Sequence, residues 1–386
     1  MKKIIVTFIL FLTLIIFFCI KRKSNEISLS VYSWGEFISS GNDGMPDVNR
    51  LFTEKTGIKV NYTTFQSNEE MLAKIIGGGA TYDVIFPSDY AVSKLIKEDM
   101  LAEINFENIP NYKFISSDLR NLDFDPENKY SVPYLWGIMG IFYNNEIVKE
   151  NIVWDVLWNP KYAKKMSMFD NSRDAFCVAL LKNGKSVNSE NINDWLDAAK
   201  DLQRQKSLIQ SYMSDQAFDK LIGREIYLLP FYYGYRIPEV LKDNKYISFE
   251  VPQNGTNKFI DCMCILESSK NKLAAEKYIN FLCQTDISIF NAKFTGYVPA
   301  NSEAADELIN NSKSLESLEK AQIYTSLSSE ISEIENKSWI NIKVIGERNL
   351  KFDGIVLFFV FLFPILLYFW IFSKNSNKKT SIYPKR

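Results

Sequence analysis

The chain reads as an α/β protein with a mostly parallel sheet, continued by an apolar C-terminal segment. Three observations predict this. Strand patterns alternate with helix patterns from residue 27 onward, the order that builds βαβ units. The helix patterns carry their own start and stop residues. Residues 354–372 (GIVLFFVFLFPILLYFWIF) contain no charge and match the roughly 20 residues that span a bilayer.

Taken in order, residues 27–32 alternate apolar and polar, as a half-buried strand does. Residues 46–56 put Val48, Leu51 and Phe52 on one helical face, and Gly57 supplies the stop. Residues 59–63 form a second strand. Ser67 and Glu70 make a capping box for a helix over 71–76, which the glycines at 77–79 end. A phosphate cradle there would need a strand before it and Lys-Ser/Thr after it, and neither is present. Residues 82–86 (YDVIF) make a buried strand and 91–97 a further helix. Beyond residue 159, a helix is expected over 191–206 with Trp195, Leu196, Ala199 and Leu202 on one stripe, and another over 273–283. Residues 227–233 (YLLPFYY) are strand-like. No repeat or low-complexity linker divides the body.

Lys2 and Lys3 precede an apolar run to residue 20, the form of an export signal. Cys19 stands where a lipoprotein signal places its lipidated cysteine, but Phe17 and Phe18 precede it instead of small residues. Residues 1–20 are therefore either a lipoprotein signal or an uncleaved anchor. After the C-terminal run comes a basic tail, 373–386, with Lys374, Lys378, Lys379, Lys385 and Arg386. The positive-inside rule holds that tail in the cytoplasm, and Pro364 within the run is tolerated in lipid. Both ends place residues 27–348 at the periplasmic, extracytoplasmic face of the cytoplasmic membrane.

Composition narrows the function. Hydrophobic residues make up 46% and charged residues 24%, enough for a real core. The net charge of −1 leaves no basic excess for a phosphate backbone, so nucleic acid is not expected as a partner. The chain has no histidine, which removes Ser-His-Asp triads, His-ligated zinc and imidazole acid–base chemistry. An enzyme is disfavoured, and no cofactor or metal is expected. Cys19, Cys177, Cys262, Cys264 and Cys283 fit neither a zinc spacing nor C-x-x-C, and are expected to be small buried hydrophobes. Aromatic residues reach 14%, leaving room for an aromatic-lined pocket.

Six segments, in this order and spacing, resemble the spermidine/putrescine-binding proteins of bacterial polyamine ABC transporters. They are residues 31–37 (VYSWGEF), 56–60 (TGIKV), 82–90 (YDVIFPSDY), 132–144 (VPYLWGIMGIFYN), 169–175 (FDNSRDA) and 293–300 (KFTGYVPA). The resemblance covers about residues 28–345. It implies a two-lobed periplasmic-binding-protein fold with a ligand cleft between the lobes. One lobe would be 27–134 with 262–303, the other 135–261 with 304–348. It also implies a permease and an ATPase as partners, and a monomeric binding domain.

By position, the resemblance carries the family's pocket onto Trp34, Glu36, Phe37, Ser88, Tyr90, Asn171, Asp174, Tyr232, Phe259, Asp261 and Tyr297. Carboxylates near Glu36, Asp174 and Asp261 would grip ammonium groups, and the aromatics would sandwich the chain between them. The match is incomplete. A family Asp falls at Asn171, with Asp170 beside it, and a family glutamine falls at Ile340. Fewer carboxylates point to a shorter amine, putrescine over spermidine. Each residue also has a plainer role open to it. Trp34 and Tyr297 fit core or hinge packing, and Asp174 fits a local ion pair with Arg173. Asp261, in an apolar strand, needs a cation, which is either the ligand or an internal Lys or Arg. Glu36, between Gly35 and Phe37, would be costly to bury unpaired. Two other functions stay open: a polyamine sensor that signals to a membrane partner, and a binding protein for a different small ligand.

Overall fold

The computed structural model describes residues 27–41, 44–78, 81–213, 217–234, 241–309 and 321–345. The apolar runs 1–20 and 354–372, Cys19 and the basic tail 373–386 lie outside the described residues. Among the described residues, no helix is long and apolar enough to cross a membrane.

Eleven strands are described: β1 (Ser28–Trp34), β2 (Lys59–Phe65), β3 (Val84–Ile85), β4 (Ser131–Asn144), β5 (Ser167–Phe169), β6 (Ser211–Met213), β7 (Leu228–Tyr233), β8 (Ile247–Glu250), β9 (Thr256–Ile265), β10 (Val298–Pro299) and β11 (Ala321–Gln322). The first part follows the expected alternation. β1 pairs in parallel with β2 and with β3. The helix Val48–Thr56 connects β1 to β2; it is capped by Asp47, which accepts from the Arg50 amide, and stopped by Gly57 at φ 73°. Ser67 accepts from the Glu70 amide and starts the helix Asn68–Ile76. The carboxylate of Glu70 reaches back to the Gln66 amide at 2.8 Å, one residue before the position a capping box would use.

The mostly parallel sheet does not extend to the rest. β9 is antiparallel to both β3 and β4, and β7, β8 and β10 are each antiparallel to β4. Helical crossovers give parallel neighbours in the first segment and again in the pair β5 and β6, which has two helices between its strands. β4 and β9 are long strands that run antiparallel past one another.

Those two strands join two apolar cores. Leu135 of β4 and Ile260 of β9 belong to one core, with Val31, Phe52, Phe86 and Tyr278. Four residues further along β4, Met139 belongs to the other, with Trp154, Phe176, Trp195 and Leu202. A third cluster, around Phe142 and Leu229, covers the opposite side of β4. The result is two lobes joined by continuous strands, which permits rotation of one against the other.

The helix Ile192–Gln205 buries Trp195, Ala198, Leu202 and Gln205. Leu196, expected on that stripe, is 40% exposed. The stripe follows i, i+3, i+7, i+10, and Leu196 stands one step, roughly 100°, off it. The cysteines Cys177, Cys262, Cys264 and Cys283 are free and buried.

Candidate ligand-binding site

Asp261 stands midway along β9, where its neighbours Ile260 and Cys262 are fully buried. It is itself only 4% exposed. β9 meets the chain just before the helix Asp89–Lys97 at an isolated bridge between Ser88 and Asp261. There the Ser88 hydroxyl donates to Asp261 Oδ1 at 2.5 Å. Burial pushes the Asp261 carboxyl up to about 7, with a further rise from Asp174, against the Ser88 bond. Among the described residues no Lys or Arg forms an ion pair with it.

Asp174 lies in the first turn of the helix Ser172–Lys182. Asn171 is that helix's N-cap: its oxygen accepts from the Asp174 amide at 2.8 Å, and its Nδ2 donates to Asp174 Oδ2 at 2.5 Å. The Tyr232 hydroxyl also donates to Oδ2, and the Tyr324 hydroxyl donates to Oδ1 at 3.0 Å. Burial raises the Asp174 pKa, and these three hydrogen bonds oppose the rise. The local ion pair with Arg173 does not form. Arg173 donates instead to Asn188 Oδ1 at 2.9 Å and to the Thr325 carbonyl, with its guanidinium 4.4 Å from the Tyr324 ring centre.

A row of rings passes through Tyr232, the partner of Asp174. Phe169 meets Tyr232 at 5.2 Å, Tyr232 meets Phe259 edge-on at 4.9 Å, and Phe259 meets Tyr297 edge-on at 5.2 Å. Gly137 makes room for this row: a Cβ there would come within 2.7 Å of the Phe259 ring. A hydrogen-bonded chain completes the first lobe's side. Asn68 Nδ2 donates to Ser88 Oγ at 3.0 Å and to Tyr90 Oη at 3.1 Å, and Tyr90 donates to Glu69 at 2.9 Å.

The expected residues therefore divide. Ser88, Tyr90 and Asp261 form one linked group and Asn171, Asp174, Tyr232, Phe259 and Tyr297 another, and the Tyr90 ring meets that of Tyr324, the partner of Asp174, at 5.8 Å. Trp34 packs on Phe65 at 4.7 Å, and its buried Nε1 has no hydrogen-bond partner. Phe37 is 4% exposed and packs on Phe86 and Tyr134. Glu36 is exposed on the turn after β1, so the cost of burying it does not arise. Asp170 pairs with Lys343, and Ile340 is 61% exposed. Tyr324, Glu69 and Asn68 were not expected. Tyr324 follows a segment with no pattern, and only the tertiary fold brings it to Asp174, 150 residues away.

In chemical terms the site offers two buried carboxylates that form no ion pair among the described residues, beside aromatic rings. Such a site suits a flexible ligand with cationic ends and an apolar stem.

Comparison with known proteins agrees with the architecture. A model of the bacterial extracellular solute-binding protein family matches residues 50–320. The spermidine/putrescine-binding periplasmic protein of Salmonella typhimurium is 32% identical over 302 residues, 76% of this chain and 84% of its own. The putrescine-binding periplasmic protein of Pseudomonas aeruginosa is 28% identical over 345 residues, covering 82% of this chain and 91% of its own. Among solved structures, the spermidine/putrescine ABC transporter substrate-binding protein of Streptococcus pneumoniae superposes with a TM-score of 0.67 at 29% identity, over 82% of this chain and 98% of that one. These relatives are binding proteins, not enzymes. By the matched residues, the shared length and the two-lobed architecture, the chain belongs to the bacterial extracellular solute-binding protein family.

Proposed function

We propose that this chain is the extracytoplasmic substrate-binding component of a polyamine ABC importer, anchored at the outer face of the cytoplasmic membrane. The observation that carries this is the pair Asp174 and Asp261, both buried and, among the described residues, neither paired with a Lys or Arg, with the Asp174 partner Tyr232 leading through Phe259 to Tyr297. An ammonium at each carboxylate would replace the missing cations. Charge-assisted hydrogen bonds contribute roughly 1.5–3 kcal/mol each, and each cation–π contact about 0.5–2 kcal/mol. Two of the former and two of the latter sum to about 4–10 kcal/mol before association costs, against the roughly −8 kcal/mol of micromolar binding, so burial of the ligand's methylenes against the aromatic rings has to add to them.

In this reading residues 27–134 with 262–303 form one lobe and 135–261 with 304–348 the other. The lobes close on the amine, and the closed, monomeric binding domain is what the permease recognises, with an ATPase driving uptake. Trp34 and Glu36 belong to the cleft mouth and engage as the lobes close. The relatives named for spermidine and putrescine support the ligand class.

Equilibrium dialysis of the full-length protein against labelled putrescine and spermidine, with a neutral sugar as control, tests this. Saturable amine binding with no sugar binding is expected. Sugar binding, or no amine binding by folded protein, would remove the polyamine assignment and leave the family.

A further inference from the structure

A cavity of about 290 Å³ is lined in part by Ser172 and Arg173, the two residues before Asp174. One side is made by the helices Asn68–Ile76 and Asp89–Lys97, the other by the start of the helix Ser172–Lys182 and by the helix Ser329–Ile345. Its walls thus come from both lobes. Leu72, Ile76 and Leu327 give it an apolar side, and Glu69 and Glu335 give it carboxylates. Tyr90 and Arg173 line it as well.

Glu335 is the unusual member. It is 6% exposed, and its one hydrogen bond among the described residues comes from Ser172. Burial pushes its carboxyl up to about 7; Arg173 and Ser172 oppose the rise, and Glu69 and Asp174 add to it. Arg173 does not bond it. The guanidinium is spent on Asn188, Thr325 and the Tyr324 ring, and its Nε has no partner at all. Lys94, the cavity's other cation, forms no ion pair among the described residues. Glu335 thus meets the cavity with one hydrogen bond and no ion pair among the described residues, which leaves it lone pairs for a further donor.

The cavity is also wired to the site. From Asp261 the hydrogen bonds run through Ser88, Asn68 and Tyr90 to Glu69, which is on the cavity wall.

We propose that this cavity is a further subsite, in which Glu335 and Glu69 hold an additional ammonium and Leu72, Ile76 and Leu327 cover its methylenes, so that the protein distinguishes a triamine from a diamine. This rests on the amine-binding reading above. The shortage of carboxylates that pointed to putrescine is then made good by two residues outside the pocket set that the resemblance carries over.

The test is calorimetric titration of the full-length protein with spermidine and with putrescine, for the wild type, Glu335→Gln and Leu327→Trp. The first variant removes the charge and keeps the shape; the second fills the cavity. Both are expected to weaken spermidine binding about tenfold or more, the effect of one lost charge-assisted contact, while putrescine binding changes by less than about twofold. Equal losses for the two amines, or no loss for spermidine, would overturn the subsite. If the wild type binds neither amine, the amine reading itself fails and the subsite falls with it.

Discussion

The Ser88 hydroxyl donates to Asp261 Oδ1 at 2.5 Å across 173 residues of sequence, and it is the one side-chain bond given to that carboxylate among the described residues. Asp174, by contrast, has both oxygens occupied, by Asn171 and Tyr232 on one and Tyr324 on the other. The two acids are therefore not equivalent. Asp261 has the free lone pairs, and Asp174 supplies a fixed negative field. Asp261 should do most of the gripping.

Replacing Asp261 by Asn keeps an acceptor for Ser88 and removes the charge. Amine binding is expected to weaken about tenfold to a hundredfold, one to two charge-assisted hydrogen bonds. Without ligand the variant should be more stable than the wild type at pH 8, because a buried unpaired charge is gone. Thermal unfolding at pH 8 without amine checks the second part.

The raised Asp261 pKa sets a pH dependence. Its folded value, about 7, lies above the ordinary carboxylate range. The folded state therefore holds a proton that the unfolded chain has released, and ligand-free stability falls as pH rises from about 4 through 7. Binding runs the other way. An ammonium requires the ionised acid, so affinity should improve about tenfold per unit up to pH 7 and level off above it. A flat affinity profile between pH 5.5 and 8 would show that Asp261 is not the group being ionised.

Tyr232→Phe removes one donor from Asp174 and leaves Asn171 and Tyr324 in place. The carboxylate becomes harder to ionise by about 1–2 kcal/mol. Amine affinity should drop several-fold, and the loss should shrink as pH rises. A loss independent of pH would assign Tyr232 to packing against the ligand alone.

Gly234 follows β7 and meets the turn before β10. A Cβ there would lie 1.9 Å from the Gly296 carbonyl oxygen, and Gly296 itself has φ 80°. Gly234→Ala should destabilise the protein by about 1–3 kcal/mol, read as a lowered midpoint in urea.

Much of the first lobe is legible in the sequence because its signals are local. Asp47 and Ser67 cap helices through neighbouring amides, and Gly57 stops one by its own φ. Phe259 and Asp261 stand out because a charge interrupts an apolar strand. Glu335, Tyr324 and Asn68 do not, since each acquires its role only through partners brought close by the fold. The antiparallel run of β4 beside β9 is hidden for the same reason: its pairing joins residues more than a hundred positions apart, such as Leu135 and Asp261.

The central claim is that Asp261 and Asp174 hold an amine. The most direct measurement is isothermal titration calorimetry of the full-length wild type and Asp261→Asn with putrescine and spermidine at pH 7.5. Micromolar or tighter binding of an amine to the wild type, weakened at least about tenfold in the variant, is the predicted result. Amine binding that is unchanged in Asp261→Asn would contradict it and move the ligand elsewhere in the cleft.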